Sequence, residues 1–149
     1  MIKKTLFALV LTAAAAPVMA QQCAVTVESN DAMQYNVANI DVSKNCKEFV
    51  VTLKHVGKLP KNAMGHNLVI AKASDMAGIG SDGMVAGQPN DYVKAKDARV
   101  LAHTGIIGGG ETSTAKLSVA ALNAKDSYVF FCTFPGHSAI MKGTVKLAG

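Results

Sequence analysis

From residue 22 onward, apolar and polar positions alternate in short runs separated by turn-forming residues. The run 47–55 shows this best: Phe49, Val51 and Leu53 alternate with Glu48, Val50, Thr52 and Lys54. That period of two places one apolar face on a strand. Comparable runs predict strands over 24–28, 33–37, 67–71, 98–103, 112–119, 127–133 and 143–147. Ser29-Asn30-Asp31, the stretch 57–60, Gly108-Gly109-Gly110 and Asn123 punctuate them. About eight short strands in one domain-sized chain predict an all-β fold, a Greek-key β-sandwich or barrel. One stretch departs from the pattern. Residues 74–87 carry Ser and Asp as N-cap candidates and helical Met/Ile spacing, diluted by glycine. They predict a short helical flap inside an excursion over 72–96, packed outside the barrel.

The first twenty residues have a different pattern. Lys3 and Lys4 precede an apolar run of twelve residues, Pro17 breaks it, and Val18-Met19-Ala20 supplies small residues for cleavage. This is the layout of a secretory signal peptide, 1–20, leaving 21–149 as a single domain. No later run is apolar for long enough to span a bilayer. The expected protein is exported and periplasmic, with no membrane insertion. The formal charge of +5 falls by two with the leader, Arg99 is the only arginine, and the lysines are scattered. Nucleic-acid binding needs clustered basic residues and is not expected. Three cysteines in an oxidising compartment leave one unpaired. The economical pairing is Cys23 with Cys46, which frees Cys132. Taken alone, Cys132 fits an inert buried thiol equally well.

The segment Cys132-Thr-Phe-Pro-Gly-His137-Ser-Ala-Ile-Met141 changes that balance. It joins two predicted strands, so a thiol, an imidazole and a thioether can fold towards one point. Those three donor types together select copper. A second imidazole must come from elsewhere, from His55, His66 or His103. His66 is the best placed, in Met64-Gly65-His66-Asn67 at a predicted strand start. Gly65 lets the backbone approach closely, so that its carbonyl could face the metal. His55 shares the apolar parity of its strand and reads as a satisfied core histidine. His103 reads as solvent-facing. Four histidines in all exclude a trinuclear copper cluster, and neither a Cys-x-x-Cys nor a Met-rich carrier motif occurs.

The loop CTFPGHSAIM resembles the azurin loop CTFPGHSALM, with Ile140 as the one apolar swap. KNAMGHN (61–67), SDGM (81–84), DARVLAHT (97–104) and MKGTVKL (141–147) also resemble segments of the azurins, blue-copper members of the cupredoxins. The resemblance covers essentially all of 21–149. It implies an eight-stranded sandwich with a helical flap, one copper ion cycling Cu(II)/Cu(I), and no enzymatic activity. It implies His66, Cys132 and His137 as the main ligands, Met141 as a long axial ligand and the Gly65 carbonyl as a weak one. It also matches a Cys23–Cys46 disulfide. Asn67 is then placed to hydrogen-bond to the Thr133 region, and the Asn67 and Phe134 N–H groups to donate to the Cys132 sulfur. An apolar patch of Met33, Leu59, Met64, Phe134, Pro135 and Ala139 would surround His137. The family implies a monomer that exchanges electrons with c-type cytochromes and with respiratory reductases or dehydrogenases. The alternative is a periplasmic copper- or zinc-binding protein without an electron-transfer role. One departure is Leu68, where azurins commonly carry a buried tryptophan.

Overall fold

The computed structural model describes residues 22–149; the expected leader, 1–20, lies outside the described residues. Among these, eight strands form two sheets. The smaller has the order β1 (Ala24–Ser29), β3 (Glu48–His55), β6 (Thr112–Ser118). The larger has the order β2 (Asn39–Ser43), β8 (Lys142–Ala148), β7 (Tyr128–Phe131), β4 (Val69–Lys72), β5 (Val100–His103). β1 runs parallel to β3 and β2 parallel to β8, and the other pairings are antiparallel. The first four strands alternate between the sheets, so both layers close over one core.

β3 shows how the alternation becomes packing. Phe49, Val51, Leu53 and His55 are buried, while Glu48 and Lys54 are exposed. Their inward faces meet Val27, Ile40, Val42, Leu68, Ile70, Leu117 and Phe130. Leu68 occupies this core with no exposure. The disulfide joins Cys23 to Cys46 with Cα atoms 5.7 Å apart, and Cys132 remains a buried free thiol.

The helical flap is α2 (Met76–Ala86), preceded by the single helical turn α1 (Lys61–Met64). α2 buries Ile79 and Gly83. Ile79 packs on the outer side of the large sheet with Val69, Ala71, Val93 and Phe131. Gly83 is required by close approach: a Cβ there would sit 2.1 Å from the Tyr92 carbonyl oxygen.

One expected strand is corrected. Residues 33–37 hold only an isolated bridge, Tyr35 to Ser29, and the strand lies instead at Asn39–Ser43. The reason is local. Met33 has φ 55°, and Asn30 and Gln34 close a turn through their backbones. Strand backbone cannot run through a left-handed residue. His66 also stands just ahead of its strand rather than at its start, bridged to Ile107.

Candidate metal centre

Three segments converge at one end of the sandwich: Gly65–Asn67 ahead of β4, Cys132 just past β7, and the loop that returns through His137 to Met141 and β8. The loop is tightly wound. His137 N–H donates to the Phe134 carbonyl at 3.0 Å and Met141 N–H to the His137 carbonyl at 2.8 Å. Cys132 N–H donates to the Met141 carbonyl at 3.0 Å, which closes the loop on itself. Gly136, at φ 82°, supplies the left-handed residue that turns the chain into His137.

The side chains of His66, Cys132 and His137 meet in a buried pocket. His66, Cys132 and Met141 have no exposure, and His137 has 4%. Donor atoms of His66, Cys132 and His137 lie within 4.8 Å of one another. His66 Nδ1 and His137 Nδ1 are 3.2 Å apart, and Cys132 Sγ is 3.7 Å from His137 Nδ1. The orientation of His66 is fixed from behind. Its Nε2 donates to the Asn30 carbonyl at 2.9 Å, so its Nδ1 carries a bare lone pair aimed into the cluster. Burial lowers its pKa to about 4, so the ring is neutral at physiological pH. Burial also lowers the His137 pKa and pushes the Cys132 thiol up to about 11, against the backbone N–H groups of Asn67 and Phe134 that donate to its sulfur. A buried thiol and two neutral imidazoles converging on one point form a soft, cation-seeking donor set. Bound cations reverse the thiol's reluctance to ionise.

Asn67 ties the two ligand segments together. Its side-chain Nδ2 donates to Thr133 Oγ1 and to the Asp91 carbonyl, both at 2.7 Å, and its Oδ1 accepts the Thr133 N–H at 2.9 Å. Gly65 sits where a Cβ would lie 2.4 Å from the Lys61 carbonyl oxygen and 3.0 Å from the Phe134 ring. Its φ of −70° is ordinary, so space rather than backbone freedom selects glycine.

His55 and His103 fall outside the cluster. His55 is fully buried and stacks on His66 with ring centroids 4.6 Å apart. Its Nδ1 accepts the Gly57 N–H at 3.0 Å, so its Nε2 donates to the Met64 carbonyl at 3.1 Å. It is a satisfied core histidine. His103 is exposed. Of the expected patch, Leu59, Pro135 and Ala139 are exposed, whereas Met33, Met64 and Phe134 are half-buried. Sequence reasoning missed Met84 and Ile140, 56% and 59% exposed. Met84 lines a groove with Phe134, Pro135 and Ala139 between α2 and the ligand loop. It also missed Asn30, Asp91 and Tyr35, whose hydroxyl donates to the Asn67 carbonyl. No local signal in the chain marks these three.

A two-sheet sandwich that buries two imidazoles, a thiol and a thioether at one end defines a single-ion soft-metal protein. The comparisons with known proteins agree. The family model for copper-binding proteins of the plastocyanin/azurin family matches residues 21–148. The azurin of Achromobacter denitrificans is 55% identical over 148 residues, covering 99% of both chains, and that of Pseudomonas aeruginosa 48% over 147 residues, again 99% of both. The solved azurin Az-iso2 of Methylomonas sp. strain J superposes with a TM-score of 0.84 at 43% identity, covering 87% of this chain and all of that one. The chain belongs to the plastocyanin/azurin family. It is accordingly a blue-copper electron-transfer protein, and its His66, Cys132 and His137 group fits one copper ion.

Proposed function

We propose that His66 Nδ1, Cys132 Sγ and His137 Nδ1 hold the copper, with the Met141 thioether and the Gly65 carbonyl completing the set. The observation that carries this is the convergence of two imidazole Nδ1 atoms and one thiol in a buried site. Copper, when bound, supplies a one-electron Cu(II)/Cu(I) couple. The protein keeps that couple in a fixed frame. Asn30 holds the His66 ring, Asn67 locks the His66 segment to the Cys132 segment, and the N–H groups of Asn67 and Phe134 stabilise charge on the sulfur. A frame that is already built changes little between oxidation states, which suits rapid electron transfer.

The protein acts as a carrier rather than an enzyme. Catalytic metals keep an open position for substrate, whereas here His66, Cys132 and Met141 are fully buried and His137 nearly so. Electrons pass through His137, on the surface loop flanked by exposed Pro135 and Ala139. The surrounding apolar surface, from Leu59 and Met64 to Phe134, suits brief docking of a monomer with c-type cytochromes and with respiratory reductases or dehydrogenases. Small interfaces of this kind release quickly. The protein is periplasmic, matured by cleavage after Ala20, and the Cys23–Cys46 disulfide fits that oxidising compartment.

Met141→Leu tests the thioether. We expect the protein to stay blue and its reduction potential to rise, because losing a donor favours Cu(I). Voltammetry that finds a colourless protein or a lower potential contradicts the role. Mass analysis of exported protein should find Gln21 as the first residue.

A further inference from the structure

Asp91 stands in the excursion that carries the flap, just past a single 3-10 turn at Gln88–Asn90. Its backbone is left-handed, at φ 56° and ψ 23°. Aspartate tolerates that conformation better than most side chains. Two of its oxygens reach towards the segment that carries His66. The main-chain carbonyl accepts a hydrogen bond from Asn67 Nδ2 at 2.7 Å. The side-chain Oδ1 accepts the Ile106 N–H at 2.8 Å. Ile106 lies outside the strands, and its side chain crowds Gly65: a Cβ on Gly65 would sit 3.0 Å from it. The next residue, Ile107, pairs with His66 through both backbones, at 2.8 and 2.9 Å. Gly65, His66 and Asn67 are thus all braced through Asp91, which lies 24 positions beyond Asn67.

We propose that Asp91 is a positioning residue of the metal centre: its carbonyl and its carboxylate clamp the 65–67 segment at two points, so that His66 is in place before an ion arrives. The inference rests on the copper assignment above. Asn30 orients the His66 ring, whereas Asp91 acts on the main chain that carries it. A donor that is already held adds no ordering cost when the ion enters. Groups that support metal ligands from behind typically account for about 10- to 100-fold in metal affinity. The carboxylate is the part that a substitution can remove. The carbonyl contact needs only the left-handed backbone, which glycine also adopts. The two contacts can therefore be separated.

Asp91→Gly keeps the backbone conformation and removes the carboxylate. Asp91→Asn keeps both a side-chain oxygen acceptor and the tolerance of the left-handed region. Zinc serves as the probe, because it takes nitrogen and thiolate ligands and has no redox chemistry. In chelator competition we expect Asp91→Gly to bind Zn(II) roughly 10- to 100-fold more weakly than wild type, and Asp91→Asn to bind as wild type does. In the metal-free protein, the Asn67 side-chain amide and the His66 ring should show NMR exchange broadening in Asp91→Gly and in neither of the other two. A merely structural role would lower the unfolding midpoint of Asp91→Gly and leave Zn(II) affinity and line widths in place. That result overturns the proposal, as does an Asp91→Asn protein as weak as Asp91→Gly. One measurement needs no variant: the Ile106 N–H should be protected from hydrogen exchange in the metal-free wild type, and rapid exchange there overturns the proposal. A wild type that stays colourless with Cu(II) overturns the copper assignment and this inference with it. A blue wild type with an Asp91→Gly variant of unchanged metal affinity overturns this inference alone.

Discussion

At the residue scale, Asn67 shows how much depends on one buried amide. It satisfies the Thr133 N–H, the Thr133 hydroxyl and the Asp91 carbonyl at once. Asn67→Ala leaves those groups without that partner in a dry place, where each unsatisfied group costs about 1–3 kcal/mol. We expect the metal-free variant to lose about 2–4 kcal/mol in urea unfolding, with a changed reduction potential when copper is bound. Full stability with an unchanged potential contradicts the tie between the segments. The cluster of His66, Cys132 and His137 is legible in the sequence because two of its members share one loop and the third sits beside a glycine and an asparagine. Their supports are not. Asn30 reaches His66 across 36 positions and Asn67 reaches Asp91 across 24. Their residue types are common in turns, and nothing local separates a turn asparagine from a ring-orienting carbonyl.

At the element scale, the strands with strong alternation were legible and the segment before β2 was not. Asn39–Ser43 carries its own signal, with Ile40 and Val42 buried and Asn39 and Asp41 exposed. The rival run at 33–37 has comparable residue types and is ruled out only by the turn at Asn30–Gln34 and the left-handed Met33. The flap is held from two sides. Gly83 presses on the Tyr92 carbonyl, so Gly83→Ala forces backbone apart and should cost about 1–3 kcal/mol by thermal unfolding. Arg99 lies over Gly78 and pairs with Asp82 and Asp97 at 2.6 Å each. The Arg99 guanidinium beside Asp97 lowers that carboxyl from 3.8 to about 2. A depressed carboxyl stabilises the fold above its unfolded pKa and loses that contribution as pH falls through the folded one. We expect Asp97→Asn to flatten the loss of stability between pH 4 and pH 2 relative to wild type, followed by circular dichroism. Parallel curves would contradict the coupling.

At the scale of the whole molecule, the sandwich places its metal site at one end, beneath a loop that is both ligand carrier and surface. The core made this legible: the alternating strands dictate two closed layers, and a loop joining adjacent strands β7 and β8 must lie at their end. Met84 joins the loop's surroundings only through the packing of α2, which alternation cannot reveal. If electrons pass at this end, Met64→Lys puts a charge beside the route and adds a desolvation cost on docking. Self-exchange measured by NMR line broadening should slow sharply both above and below pH 7, since lysine stays charged across that range, with the optical spectrum unchanged. His103→Gln, at an exposed strand end, should leave the rate as it was. The reverse pattern would move the port elsewhere.

The central claim is that one buried thiol and two imidazoles form a ready site for a single copper ion. Titrating the metal-free protein with Cu(II), in parallel with Cys132→Ser, tests it most directly. We expect an intense blue absorption in the wild type that saturates at one equivalent, and none in a folded Cys132→Ser protein with its Cys23–Cys46 disulfide intact. A wild type without the band, or a Cys132→Ser protein that keeps it, would contradict the claim.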